Sequence, residues 1–179
     1  VREWIKTYNG PLFHALLCDV PYELEFMGRA WDKSDVAFDS ETWRGLATCL
    51  RPGAFLFVCA GTKNDDLISV AMREADLIKH HTVKGWVYGQ GFPKATRMDE
   101  EIGKEWAGHR YGQQSLKPSL ETVLVFQKPY DGKPIESIVK HGAGTLNIEA
   151  ARIGVEAHPI NTWDDGSKPF GGGAGHDFT

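Results

Sequence analysis

The sequence predicts an α/β fold, with a mostly parallel sheet and flanking helices. Three observations lead there. Short apolar runs alternate with segments of helical spacing, the pattern of strand–helix–strand units. Ala54 to Ala60 is unbroken in its apolar character, as a central parallel strand must be when both its faces are covered. Turn residues, above all Pro52-Gly53, punctuate the boundaries.

Residues 13 to 19 form a first apolar strand, and residues 23 to 38 follow as a loop without clean period. Asp39 or Ser40 can cap a helix over about 41 to 50, where Trp43, Leu46, Ala47 and Leu50 fall at helical spacing. The strand Ala54 to Ala60 comes next. Asn64 can cap a helix over about 65 to 76, with Leu67, Val70, Ala71 and Ala75 on one face. Ile78 to Tyr88 is rich in β-branched and aromatic residues and is expected as a strand. Gly89 to Lys94 is a turn or loop, and a polar helix is expected over about 97 to 106. Glu121 to Gln127 is a last strong strand, closed by Lys128-Pro129-Tyr130-Asp131-Gly132. The domain is expected over residues 1–153. Residues 154–179 have little periodicity, end in a glycine-rich stretch, and are expected as an extended or disordered tail.

The chain has 179 residues, 41% of them hydrophobic and 25% charged. That is an ordinary balance for one globular domain with its own core. No stretch approaches the roughly 20 apolar residues of a membrane span, and no secretory leader opens the sequence. The net charge of -4 argues against a sequence-independent nucleic-acid coat, but leaves room for an enzyme with one basic face. Cys18, Cys49 and Cys59 lie in or beside apolar runs at spacings that match no zinc pattern. They are expected as buried small side chains in a reducing cytoplasm. The pair His80-His81 falls in a strand, where alternation turns only one ring inward, which argues against a metal pair.

Chemistry concentrates where the first strand ends, in Asp19-Val20-Pro21-Tyr22. In open α/β sheets ligands lie beyond the carboxyl ends of the strands, and both this tetrapeptide and Gly61-Thr62 fall there. Taken alone the tetrapeptide is also what a strand ending in a polar turn looks like.

The tetrapeptide resembles the Asp-Pro-Pro-Tyr signature of site-specific DNA amino-methyltransferases, of the bacterial and phage type in which the catalytic motif precedes the cofactor motif. Further blocks match in order: residues 22–32, Leu50 to Leu56, Trp86 to Lys94, Leu116 to Leu124, and His141 to Glu149 with Arg152-Ile153. The resemblance implies a Rossmann-like methyltransferase fold, S-adenosyl-L-methionine as cofactor, and double-stranded DNA with a flipped base as substrate. It also implies a setting in the cytoplasm of a bacterium or a phage-infected host. The target would be an exocyclic amino nitrogen, adenine N6 rather than cytosine N4 because Asp heads the motif. Asp19 and the Val20 carbonyl would accept the amino hydrogens, Pro21 would fix the turn, and Tyr22 would stack on the base. Trp31, Asp32, Lys94 and Glu121 would contact substrate, with Arg97, Arg110 and Lys117 as further phosphate contacts. Asp19, Gly61 and Thr62 would line the cofactor cleft.

Two departures stand out. Val20 replaces the family's usual proline, which removes stiffness but keeps the carbonyl. The family's Asp-Pro-Phe-x-Gly-x-Gly cofactor unit is also absent. Lys168 to Gly175 looks superficially like it, but lacks both the preceding strand and the acidic residue. The chain is therefore expected to be the catalytic part of a longer enzyme, cut before the cofactor motif. A partner chain or C-terminal segment would supply that motif. The alternative is a non-catalytic DNA- or protein-binding module of phage methylase origin.

Overall fold

The computed structural model describes residues 1–21, 34–81, 85–87, 94–116 and 119–152, without the side chains at 94, 113 and 114. The chain divides into two compact units, Val1–Thr145 and Leu146–Thr179. The described part of the second holds one helical turn, Ile148–Ala151, capped by the Asn147 side chain accepting from Ala150 N.

The first unit opens with α1 (Arg2–Thr7), β1 (Phe13–Asp19), α2 (Ser40–Thr48), β2 (Leu50–Ala60) and α3 (Asp65–Glu74). Two short strands follow, β3 (Ile78–Lys79) and β4 (Gly85–Val87). Then come β5 (Lys94–Arg97), α4 (Met98–Glu101), a 3-10 turn at Lys104–Trp106 and β6 (Arg110–Gln114). The unit closes with β7 (Leu120–Gln127) and α5 (Pro134–His141). The main sheet is mixed, in the order β1-β2-β7-β3, with β4 also on β7. Strands β1 and β2 pair in parallel, while β7 runs antiparallel to β2, β3 and β4. Four of the five strands thus point one way, with β7 inserted against them. The remaining two, β5 and β6, form a separate antiparallel ribbon.

Alternation along β2 sorts the sheet into two faces. Ala54, Leu56, Val58 and Ala60 are buried and meet Leu124 and Phe126 of β7 with Trp43, Ile68, Ala71, Met72 and Ala75 of the helical layer. Trp43 is buried with its one polar atom satisfied, Nε1 donating to Ala37 O at 2.8 Å. A buried indole N–H needs such a partner. Of the two caps that the sequence offers for α2, Asp39 holds the position, and its carboxylate accepts from Glu41 N at 3.1 Å, as an N-cap side chain does. Asn64 holds the N-cap position of α3 without a side-chain cap bond to that helix.

At its start β2 breaks register with β1. Phe13 stands opposite Leu50, but Ala15 stands opposite Phe55. Gly53, at φ +80°, occupies the irregular stretch; its N–H donates to Lys128 O at 3.1 Å and its carbonyl accepts from Gln127 Nε2 at 2.9 Å. A side chain is strained at that backbone angle, so the bend depends on glycine.

Several sequence expectations need correction. The buried stripe of α3 is Ile68, Ala71 and Met72, continued by Ala75, whereas Leu67 and Val70 are half exposed. Both stripes have helical spacing, and the direction in which the sheet lies chooses between them. Leu50 belongs to β2 rather than to α2. The single strand expected over 78–88 is two short strands. The polar helix expected over 97–106 is one turn of α4 and a 3-10 turn, with Arg97 and Lys94 in β5 instead. Run-to-run propensity is a weak guide in such polar segments, where a cross-strand partner decides the conformation. Cys49 is buried as expected, but Cys18 and Cys59 are only half-buried. Of the histidine pair, His80 is half-buried 2.9 Å from Gln127 Oε1, and His81 is exposed.

Ile68→Ala should cost about 2–5 kcal/mol, and Leu67→Ser or Val70→Ser at most about 0.5 kcal/mol. Urea unfolding of the three variants checks which face of α3 packs.

Candidate functional site at the carboxyl ends of β1 and β2

Strands β1 and β2 run parallel and end together, so their last residues form one row. Asp19 stands opposite Cys59, and Cys59 stands opposite Val123 of β7. One step on, Ala60 is opposite Thr122, which faces Gly85; Glu121 then faces Trp86. Leu16, Cys18 and Val20 pack toward the helix-covered core. Alternation therefore sets Asp19 on the other face, shared with Cys59, Glu121 and Trp86. Asp19 is exposed and Glu121 and Cys59 are half-buried, while Trp86 is 68% exposed.

Electrostatics tie these groups together. The Cys59 thiol is pushed up by burial first and then by the negative charges of Asp19 and Glu121. Burial, with Cys59 and Asp19 as lesser causes, pushes Cys18 up to about 12. Both thiols are held protonated at neutral pH, the reverse of what a nucleophilic cysteine needs. The site therefore offers carboxylate acceptors on an aromatic-flanked surface, without a cysteine nucleophile. Among the described residues no cluster of three or more His, Cys, Asp or Glu side chains could hold a metal ion.

The expected site residues distribute unevenly. Asp19 and Glu121 lie on one face, with Val20 and Pro21 continuing the chain half-buried from the end of β1. Gly61 is half-buried just past β2, its carbonyl accepting from Asn64 N at 3.0 Å, and Thr62 is exposed in the same turn. Tyr22, Trp31, Asp32 and Lys117 lie outside the described residues. The Lys94 backbone is in β5, in the separate ribbon. Arg97 is engaged locally, 2.8 Å from Asp99 Oδ2 and 2.5 Å from Glu100 Oε1. Arg110 stands opposite Arg97 across that ribbon.

Cys59 and Trp86 are the residues that sequence analysis passed over as site members. A signal for Cys59 existed: two parallel strands end on one edge, so the residue closing the second neighbours the residue closing the first. Trp86 gave none, because only the pairing of β4 with β7 brings it opposite Glu121.

No protein-family model matches the chain, and no curated protein matches it by sequence. Similar folds exist among solved structures. One is a protein of Thermus thermophilus provisionally assigned as a DNA modification methylase, with a TM-score of 0.46 and 18% identity over 83% of this chain and 58% of that one. Another is M1.HpyAVI in complex with SAM, with a TM-score of 0.45 and 17% identity over 75% of this chain and 55% of that one. This chain thus spans less than two thirds of the length of either.

Asp19→Asn and Glu121→Gln should each bring the Cys59 thiol down and raise its alkylation rate a few-fold at mildly alkaline pH. Iodoacetamide kinetics in a Cys18→Ser, Cys49→Ser background check this. Cys18 binds its proton more tightly folded than unfolded. Its contribution to stability is therefore complete below the ordinary thiol value of 9.0 and is lost as pH rises toward about 12. Unfolding free energies at about pH 8 and about pH 10.5 should fall less steeply for Cys18→Ala than for the wild type.

Proposed function

We propose that this chain is the catalytic region of an S-adenosyl-L-methionine-dependent DNA methyltransferase that modifies an exocyclic amino nitrogen, adenine N6 ahead of cytosine N4. The observation that carries the proposal is the placement of Asp19-Val20-Pro21. These three residues leave the carboxyl end of a parallel strand, with the Asp19 carboxylate exposed beside the end of the neighbouring strand. The ordered blocks of sequence resemblance support it independently.

An exocyclic amino group is a poor nucleophile because its lone pair is delocalised into the ring. Asp19 accepts one amino hydrogen and the Val20 carbonyl accepts the other, which draws the lone pair out of conjugation and holds the nitrogen in place. Val20 is suited to this because its side chain is anchored against the core, leaving the peptide fixed at the strand end. Pro21 restricts the turn that follows. Tyr22 stacks on the base, which must leave the duplex because its amino group is otherwise paired. Asp19 is also positioned to receive the proton that the product nitrogen sheds.

The donor set fits the cofactor on its polar side. Asp19 offers a carboxylate, Thr62 an exposed hydroxyl, and Gly61 a turn without a side chain. These residues would hold its ammonium and hydroxyl groups; when bound, it supplies an electrophilic methyl group. Trp31, Asp32 and Lys94 would add substrate contacts.

The test is transfer of tritiated methyl from S-adenosyl-L-methionine to DNA. Asp19→Ala should lower the rate by at least about 100-fold, the scale for removing one group that stabilises developing charge, with DNA affinity retained. Equal transfer by wild type and variant would overturn the proposal. DNA binding without transfer by the wild type, even when a segment carrying the cofactor motif is supplied, would favour a non-catalytic binding module.

A further inference from the structure

At the amino end of β2, the turn after β7 and helix α5 border a cleft of about 440 Å³, a size usual for small-molecule sites. It is remote from the row at Asp19. Pro52 in the cleft and Cys59 beside Asp19 lie at opposite ends of β2, roughly 20 Å apart at the rise of an extended strand. The rings of Pro52, Pro129 and Tyr130 give the cleft apolar walls. Helix α5 brings Ser137 and Lys140 to it, at a spacing that sets both on one helical face. The turn adds Asp131. Ser137 is only 4% exposed, yet its Oγ has no hydrogen-bond partner. Folded proteins leave few buried hydroxyls unmet, because each costs stability. The helix does not need this one. Its first turn is closed by Glu136, whose Oε2 accepts from Lys133 N at 3.4 Å. Among the described residues the side chains of Lys140 and Asp131 are likewise unpaired. A hydroxyl, an ammonium and a carboxylate thus converge on apolar rings without answering one another.

We propose that this cleft binds a free α-amino acid with an apolar side chain. The Ser137 hydroxyl and the Lys140 ammonium donate to its carboxylate, and Asp131 accepts from its ammonium. The proline and tyrosine rings cover its side chain. A simple anion would leave Asp131 unanswered, and a simple amine would leave Lys140 and Ser137 unanswered. A zwitterion answers all three. The site does not rest on the proposed methyl transfer and stands or falls apart from it.

The experiment is calorimetric titration of the full chain with leucine and with phenylalanine. Two analogues of leucine are the controls: 4-methylpentanoate, which lacks the ammonium, and 3-methylbutylamine, which lacks the carboxylate. At least one of the amino acids should bind with a Kd of about 1 mM or tighter. Each analogue should bind roughly 10-fold more weakly than leucine or worse, as should leucine to Ser137→Ala, Lys140→Gln and Asp131→Asn, the scale of losing one charge-assisted hydrogen bond. Without ligand, Ser137→Ala should melt no lower than the wild type, because it removes a buried hydroxyl that nothing in the free protein satisfies. That readout keeps loss of the site distinct from loss of the fold. No binding of either amino acid up to about 10 mM overturns the inference. So does equal binding of leucine and either analogue. A lower melting temperature for Ser137→Ala with unchanged amino-acid affinity also overturns it. That result would assign the hydroxyl to a structural water in the hole of about 20 Å³ between Ser137 and Gly53, which has room for one.

Discussion

The parallel register of β1 on β2 is the constraint from which the candidate site follows. Backbone hydrogen bonds set Leu16 beside Leu56, Cys18 beside Val58 and Asp19 beside Cys59. A slip of one residue would turn Asp19 into the helix-covered core and Cys18 out of it, since side chains alternate with a period of two. The core prevents that slip. Leu16, Cys18 and Val20 pack against a layer in which Leu56, Val58 and Ala60 are fully buried. Exchanging that set for Leu17 and Asp19 would bury a carboxylate without a partner. Hydrophobic burial on one face thus fixes the position of a charged group on the other.

Strand β7 extends this logic. It lies between β2 and the edge strands β3 and β4, antiparallel to all three, so its first residues meet the last residues of β2. That reversal delivers Glu121 to the end of the sheet where Asp19 emerges, from far along the chain. Had β7 run parallel to β2, its amino end would lie at the far side, near Gly53. The far side is instead closed by a backbone exchange, with Lys128 N donating to Ala54 O and Gly53 N to Lys128 O. The glycine bend there lets β2 leave β1 without disturbing the paired segment from Phe55 onward.

The two raised thiols show how this arrangement tunes its own chemistry. Burial and two carboxylates both favour the protonated form of Cys59, so neither Cys59 nor Cys18 competes as a nucleophile beside Asp19. The face offers hydrogen-bond acceptors and an exposed indole, whose contacts are reversible and geometric. Such a surface stabilises by position, which requires the rigid sheet beneath it.

The sequence by itself determined the α/β class, the central strand at Ala54–Ala60, a cap for α2 at Asp39 or Ser40, and the placement of Asp19 at a strand end. Each depends on local signals, an apolar run, a capping side chain or a break in periodicity, that neighbouring residues carry in full. Only the tertiary structure decided which stripe of α3 is buried, because Leu67–Val70 and Ile68–Ala71 are equally helical in spacing and differ only in where the sheet lies. It alone decided that β7 runs antiparallel, that 94–97 and 110–114 pair as a ribbon, and that Cys59, Glu121 and Trp86 share a face with Asp19. Strand pairing joins residues far apart in the chain, and the free energy that selects one register is spread over the whole packed core rather than written in any one segment.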